Sequence, residues 1–356
     1  MELENLVFTT DLDLSLRDVT ALREMSDVYV LVDSNTQTLC LPLIRQTLRL
    51  PDSQVVVIAA GDENKTLATV EQVWQTLFER GATRRSLLIN LGGGMVCDLG
   101  GFVASTYMRG IDFVNIPTTL LAQVDASFGG KTGFNYMGLK NSIGVFAKPK
   151  KVIICPDFFP SLSVKQLLSG YAEVLKHALI SSPLELNRVL AYDIERQDMT
   201  ELMAIVKRSL VIKNYIVEQD PTETGMRKTL NLGHTIGHAL EEMSLKQWRE
   251  GKGEMLPHGY AVFYGLIAEL YLSVKKLGLD KKVLEQCLPL FYHYYGKPVC
   301  SCREQDELIE LMRHDKKNLS TSEINFTLLR QVGNAYINRT CTEEEIKEAL
   351  DYLFSL

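Results

Sequence analysis

The stretch NLGHTIGHALEE, residues 231–242, sets His234 and His238 four apart, so both imidazoles leave one face of a helix. Imidazoles paired in this way can hold a divalent cation when further donors join them. The metalloprotease pattern HExxH is absent, because Thr235 follows His234. Four other histidines stand at 177, 258, 293 and 314. His258, in LPHGYAV, opens a predicted helix, and Glu173, in SGYAEVLKHALI, puts a carboxylate on an otherwise apolar one. A glutamate buried there needs a partner. Spacing alone permits several triads among these residues. His293 and His314 read as ordinary packed or surface side chains.

A second kind of chemistry is written into the first half. The run SLLINL (86–91) leads straight into Gly92-Gly93-Gly94 and then MVCDLGGFVAS. Three glycines let the backbone approach a ligand closely, and a helix beginning there presents unpaired N–H groups to an anion. The pattern is not GxGxxG, since Cys97 stands at the third position, and a tight strand–helix turn accounts for it equally. Asp33 ends VYVLVD; a carboxylate at a strand tip can bind the two hydroxyls of a ribose or cap a helix. Together the two features make a dinucleotide such as NAD the leading ligand. The stretch 107–144 then gathers Arg109, Asp112, Thr118, Thr119, Asp125, Lys131, Lys140 and Asn141 around glycines 129, 130, 133, 138 and 144. Glycine-punctuated loops with cations and amides suit an anionic polyol: lysine supplies a point charge, arginine a planar fork.

The elements that must position these groups fall into two sets. Short β-branched runs at 28–32, 55–60, 86–91, 112–116 and 151–155 alternate with helical spacing such as LATVEQVWQTLFERG (67–81). That alternation predicts a parallel sheet covered on both faces. From 164 to about 315 the 3.6-residue period dominates, as in MTELMAIVKRSLVIKNYIVEQ (199–219), which predicts helices. The boundary belongs near 156–163, where PDFFPSLS carries two prolines and two serines. Near the end, INFTLL (324–329) predicts a short strand, and CTEEEIKEALDYLF (341–354) opens on a capping box at Thr342 and Glu345.

Composition excludes several classes. With 356 residues, 46% apolar and 23% charged, the chain suits two folded domains. A net charge of −6 argues against nucleic acid, which needs a basic face. The longest apolar run, 260–274, is broken by Glu269 and too short to span a bilayer. MELENLVFTT lacks a signal-peptide core. Seven cysteines, at 40, 97, 155, 287, 300, 302 and 341, form no CxxC pair and suit reduced thiols. A cytoplasmic protein with no membrane partner is expected.

Eight blocks in order make the chain resemble the 3-dehydroquinate synthase family of sugar-phosphate cyclases. They are GDENKT (61–66), LGGGMVCDLGGFVA (91–104), RGIDFVNIPTTLLAQVDASFGGKTGFN (109–135), GLKNSIG (138–144), GYAEVLKHALI (170–180), LNLGHTIGHALE (230–241), LPHGYAV (256–262) and HDKKN (314–318). The resemblance implies an α/β, Rossmann-like NAD-binding domain over residues 1–158 and a mainly α-helical, metal- and substrate-binding domain over 159–356. It implies Glu173, His234 and His258 as ligands of Zn2+ or Co2+, with His238 on the substrate side. For NAD it implies Asp33, Asn35, Asp62, Lys65, Gly93, Gly94, Asp98, Thr118, Thr119, Lys140 and Ser161. For substrate it implies Arg109, Asp125, Lys131, Asn141, Lys176, Lys213, Glu223, Arg227, Asn231, His238 and Lys316. Asp125, Lys131, Lys176, Glu223 and His238 are the implied catalytic groups. A homodimer is implied as well.

The implied substrate is 3-deoxy-D-arabino-heptulosonate 7-phosphate, an anion that matches clustered cations in an acidic chain. The implied reaction is transient oxidation, phosphate β-elimination, re-reduction, ring opening and intramolecular aldol closure. Three departures stand out: Asp62 where the family has Glu, SLS (161–163) where TLP is usual, and a longer segment 243–256, MSLKQWREGKGEML, expected as a surface insertion. Rival readings are a cyclase for a different sugar phosphate, a metal-dependent polyol dehydrogenase, and a binding module without catalysis.

Overall fold

A computed structural model describes residues 5–21, 24–137, 139–196, 198–298, 304–313 and 323–356. The chain forms two compact units, Met1–Leu167 and Leu168–Leu356.

The first unit contains the five expected strands and adds a sixth to their sheet, the short Leu6–Phe8, which was not anticipated. Its strands are β1 (Leu6–Phe8), β2 (Val28–Asp33), β3 (Val55–Ile58), β4 (Leu87–Gly92), β5 (Asp112–Pro117), β6 (Lys131–Tyr136), β7 (Leu139–Phe146) and β8 (Lys151–Ile154). Six of them make a parallel sheet in the order β1-β8-β5-β4-β2-β3. Helices α1 (Leu12–Thr20), α2 (Ser34–Leu39), α3 (Leu41–Leu48), α4 (Leu67–Glu79) and α5 (Gly94–Thr106) accompany it. Alternation along each strand decides which face a side chain joins. Val28, Val30 and Val32 pack with Leu16 and Ile44, whereas Tyr29 and Leu31 pack with Val73, Leu77 and Leu99. Both faces are therefore covered, as the near-continuous apolar strands require.

Strands β6 and β7 lie outside that sheet and pair with each other, antiparallel. The glycine-punctuated stretch expected as loops is here a hairpin. The glycines allow it: a Cβ on Gly133 would stand 2.3 Å from the Ile143 carbonyl oxygen, and one on Gly144 2.2 Å from that of Thr132.

The second unit is mainly helical. It holds most of α6 (Val164–Leu179), then α7 (Pro183–Ala191), α8 (Met199–Gln219), α9 (His234–Arg249), α10 (His258–Leu277), α11 (Lys281–Leu290), α12 (Gln305–Arg313) and α13 (Glu343–Ser355). One hairpin, β9 (Asn325–Gln331) with β10 (Asn334–Thr340), stands among them. Its first strand is the INFTLL run; the second was not anticipated. Thr342 and Glu345 make the expected capping box at α13.

The segment 243–256 is exposed over most of its length, Lys246 and 248–254, and anchored at its start. Its first half is the last two turns of α9, and Met243 and Ser244 are buried. Ser244 Oγ accepts the Leu256 N–H at 2.7 Å, tying the return loop back to the helix.

Helices α9 and α10 approach closely because the contact is made of glycine. A Cβ on Gly265 would lie 1.9 Å from the Gly233 carbonyl oxygen. Gly233 itself has φ +80°, a conformation that favours glycine. The fully buried Glu269, one turn further along α10, accepts the N–H groups of Gly233 at 2.6 Å, Thr235 at 3.1 Å and Ile236 at 3.4 Å. A carboxylate thus takes the positive end of α9, where His234 is the first residue.

Candidate functional site

Glu173 is on α6, completely buried, with apolar neighbours before and after it in sequence. His234 opens α9 and His258 opens α10. The three come together. His234 Nε2 is 3.3 Å and His258 Nε2 3.4 Å from the same oxygen, Glu173 Oε1, while the Lys176 ammonium pairs with Oε2. Neither carboxylate oxygen has a well-aligned hydrogen bond among the described residues. Burial alone would raise the Glu173 pKa, but Lys176 and the two imidazoles outweigh it and hold the group well below the usual carboxylate range.

The imidazoles are turned alike. His234 Nδ1 faces the Leu232 carbonyl at 3.1 Å, and His258 Nδ1 faces Glu241 Oε2 at 3.2 Å. Burial disfavours a charged His258, yet the Glu241 charge and hydrogen bond, with the Glu173 carboxylate close by, carry its pKa up to about 10. One carboxylate and two imidazoles whose ligand atoms lie within 4.8 Å of one another are donors of the types that hold a divalent cation. Glu173 with its two unaligned oxygens fits such a cation.

His238 lies beside this group, its ring centroid 5.3 Å from that of His234 and 6.1 Å from that of His258. A second grouping of possible ligands, His238, Glu241 and His258, shares one histidine with the first.

A neighbouring stretch of the same unit orders further site candidates. Asp220, after α8, accepts the N–H groups of Gly225 at 2.7 Å, Thr224 at 3.0 Å and Arg227 at 3.0 Å. Burial opposes the charge, but these backbone bonds bring the Asp220 pKa down to about 2. The loop so held carries Glu223, whose Oε1 accepts from Asn231 Nδ2 at 3.1 Å, and the buried Arg227, which donates to the Pro221 carbonyl at 2.8 Å. Lys213 is buried on α8. Lys316 lies outside the described residues, as do Cys300 and Cys302.

In the first unit the nucleotide candidates line up along strand ends. Strand β2 runs out to β3 on one side, and the chain then returns to β4 on the other before going on to β5. The carboxyl ends of β2 and β4 are therefore a topological switch point, where open α/β sheets bind ligands. Asp33 ends β2, Gly93 and Gly94 follow β4, and Thr118 and Thr119 follow β5. Helix α5 starts at Gly94 with no side-chain cap, leaving its first N–H groups for an anion. A Cβ on Gly93 would press Thr119 at 3.2 Å, and one on Gly94 would reach Ala126 at 3.0 Å. Cys97 is buried beneath the turn, its thiol directed at the Gly92 carbonyl, 3.7 Å away. Close helix–sheet packing falls instead to Gly100, where a Cβ would stand 2.0 Å from Asn90 Oδ1.

Asp33 does cap a helix. Its Oδ1 accepts from the N–H groups of Asn35 at 2.9 Å and Thr36 at 2.8 Å. Lys65 Nζ joins Asp98 Oδ2 at 2.5 Å and also Asn141 Oδ1. Desolvation raises the Asp98 pKa, partly offset by Lys65, with Asp62 and Asp125 adding to the rise. Lys140 pairs with Asp62 at 3.1 Å. Asn135 Nδ2 donates to the Asp62 carbonyl at 3.1 Å and the Asn135 N–H to the Lys65 carbonyl at 2.8 Å, so the hairpin is latched to the loop after β3. Asp125 sits in a π-helical turn, Ala122–Ala126, and Lys131 opens β6. Ser161 Oγ donates to the Phe158 carbonyl at 2.6 Å. Arg109, Asn141 and Glu223 have φ of 68°, 47° and 62°, left-handed geometry they share with Arg49, Met108, Met137 and Asn338.

The family models described as 3-dehydroquinate synthase N-terminal and 3-dehydroquinate synthase C-terminal match residues 55–169 and 170–318. The chain belongs to the 3-dehydroquinate synthase family. A 3-dehydroquinate synthase from Parabacteroides distasonis is 44% identical over 352 residues, 99% of this chain and 98% of the relative. Another from Pyrococcus furiosus is 41% identical over 290 residues, 82% of each. Among solved structures, ValA, the 2-epi-5-epi-valiolone synthase of Streptomyces hygroscopicus, with NAD+ and Zn2+ bound, superposes with a TM-score of 0.83. It is 24% identical and covers 100% of this chain and 98% of its own. A 2-deoxy-scyllo-inosose synthase complexed with carbaglucose-6-phosphate, NAD+ and Co2+ gives 0.79 at 21% identity, covering 98% and 96%. These two share the fold.

In this member of the 3-dehydroquinate synthase family, sequence reasoning passed over Glu241, Glu269 and Asp220. Glu241 lies seven residues after His234 and three after His238, one helical face that spacing could have revealed. Glu269 registered as an interruption in an apolar run, when a charge there already demands buried partners.

Proposed function

We propose that the chain is a 3-dehydroquinate synthase, a carbon–oxygen lyase that turns 3-deoxy-D-arabino-heptulosonate 7-phosphate into 3-dehydroquinate and phosphate. The observation that carries this reading is the convergence of two imidazole Nε2 atoms on one oxygen of the buried Glu173. Glu173, His234 and His258 would hold the divalent cation. Asp33, Asn35, Asp62, Lys65, Gly93, Gly94, Asp98, Thr118, Thr119, Lys140 and Ser161 would hold NAD. When bound, NAD+ takes and returns a hydride, and the cation acidifies a substrate hydroxyl.

The remaining residues supply binding and proton transfer. Lys213 and Arg227 clamp the substrate carboxylate, and Asn231 is a further substrate contact. Lys131, Asn141, His238 and Lys316 hold the phosphate, which leaves by β-elimination once the neighbouring carbon is a ketone. Asp125, Lys176 and Glu223 move protons through ring opening and aldol closure. We place the work in the cytosol, in keeping with free thiols at Cys40, Cys97, Cys155, Cys287 and Cys341. We also propose a homodimer, with Arg109 serving the partner's phosphate site.

The test is phosphate release from the heptulosonate phosphate with and without NAD+ and a chelator. Release that needs both NAD+ and metal, with no net rise at 340 nm, is expected. Stoichiometric NADH accumulation without phosphate would mark a polyol dehydrogenase instead.

A further inference from the structure

We infer that Glu241 is the positioning residue of the metal centre: it selects the tautomer and rotation of His258, so that Nε2 is the nitrogen offered to a cation. The inference rests on the reading of Glu173, His234 and His258 as ligands and assigns a role to a residue outside that set.

Helix α9 carries His234, His238 and Glu241 on one face, four and then three residues apart. Glu241 is only 6% exposed, so its charge is held inside the unit rather than in solvent. Its Oε2 lies 3.2 Å from His258 Nδ1, while the opposite ring nitrogen lies 3.4 Å from Glu173 Oε1. An imidazole whose Nδ1 faces a carboxylate keeps its proton on that nitrogen. Nε2 is then the nitrogen turned toward Glu173, 3.4 Å from Oε1, and it offers its lone pair when a cation takes the place of its proton. Outer partners of this kind orient the ring and raise its strength as a donor.

The second ligand histidine shows the same logic by other means. His234 Nδ1 is held by the Leu232 carbonyl at 3.1 Å, and Glu269 fixes the backbone on either side of His234 through the N–H groups of Gly233 and Thr235. Both rings therefore present Nε2, one steered by the main chain and the other by a removable side chain. Only the second can be tested by substitution without disturbing the backbone. Glu241 also belongs to the alternative grouping with His238 and His258, in which it would be a ligand itself. The two roles make different predictions.

The experiment is titration of the metal-free full chain with Co2+, following visible absorption and competition with a chelator. Wild type is compared with Glu241→Gln, Glu241→Ala and Glu173→Ala. Glutamine keeps the shape and an acceptor oxygen but not the charge. Affinity is expected to fall about tenfold for Glu241→Gln and about a hundredfold for Glu241→Ala, the range seen for outer partners of metal ligands. The Co2+ band of Glu241→Gln should keep its wild-type form, because the ligands are unchanged, and its metal-free form should still melt cooperatively, at a temperature lowered by the loss of the Glu241–His258 charge pair. Wild-type Co2+ affinity in both Glu241 variants would overturn the inference while leaving the ligand set intact. Loss of the wild-type band in Glu241→Gln, with normal binding by Glu173→Ala, would make Glu241 a ligand and overturn both readings.

Discussion

Glu173 is where the chemistry of single residues is most exposed to test. Its carboxylate is buried, ionised, and faced by Lys176, His234 and His258. Replacing it by alanine removes both a ligand and the counter-charge of a buried ammonium. Glu173→Ala should abolish activity and bound metal, measured by elemental analysis, and should cost the metal-free protein about 3–5 kcal/mol in urea unfolding, as when one partner of a buried pair is deleted. His238→Ala should keep its metal while turnover slows roughly 10²–10⁴-fold, the span of a lost acid–base group. Metal loss in that variant would favour the His238, Glu241 and His258 grouping. Glu173 was legible because a carboxylate on an apolar helix needs a reason to be there. Glu241 was not chosen, although it lies in the same motif, because spacing cannot say which neighbouring helix a face meets.

At the scale of elements, short polar anchors decide where helices begin and end. The loop after α8 is organised by Asp220, whose carboxylate gathers three backbone N–H groups and whose pKa falls to about 2. A depressed folded-state pKa contributes stability that is complete above the unfolded value, about 3.9, and is lost as pH falls through the folded one. Asp220→Asn should therefore unfold about 1–3 kcal/mol more easily at neutral pH, the cost of leaving buried donors poorly paired. The gap between wild type and variant should close between about pH 4 and pH 2, followed by urea midpoints across that range. A constant gap would mean that the charge of Asp220 is irrelevant. Because the same loop carries Glu223 and Arg227, KM should rise as well. Five of the six strands of the sheet and the capping box at Thr342 and Glu345 were readable from local pattern. The β6–β7 hairpin was not, since glycines that read as loop punctuation are there to let two strands approach.

For the molecule as a whole, the hairpin leaves an apolar surface that a lone chain would not retain without use. Tyr136, Met137, Leu139 and Phe146 are exposed, Met137 to 83%, and β7 pairs on one side with β6. Sedimentation should give twice the 40.1 kDa chain mass, and Phe146→Asp should shift the species toward monomer; a monomeric wild type would end the homodimer proposal. The residues alone settled the alternation that makes a parallel sheet, the helical second half, the glycine turn and the family to which the chain belongs. Those signals act over a few neighbours along the chain, so they survive without coordinates. The family motifs had already grouped Glu173, His234 and His258; tertiary structure brought their donor atoms together, decided that Glu241 and Leu232 turn the two rings the same way, and set Asp33, Gly93 and Thr118 at the ends of adjacent strands. Each of those outcomes depends on packing between segments far apart in sequence, where no local period or spacing carries the information.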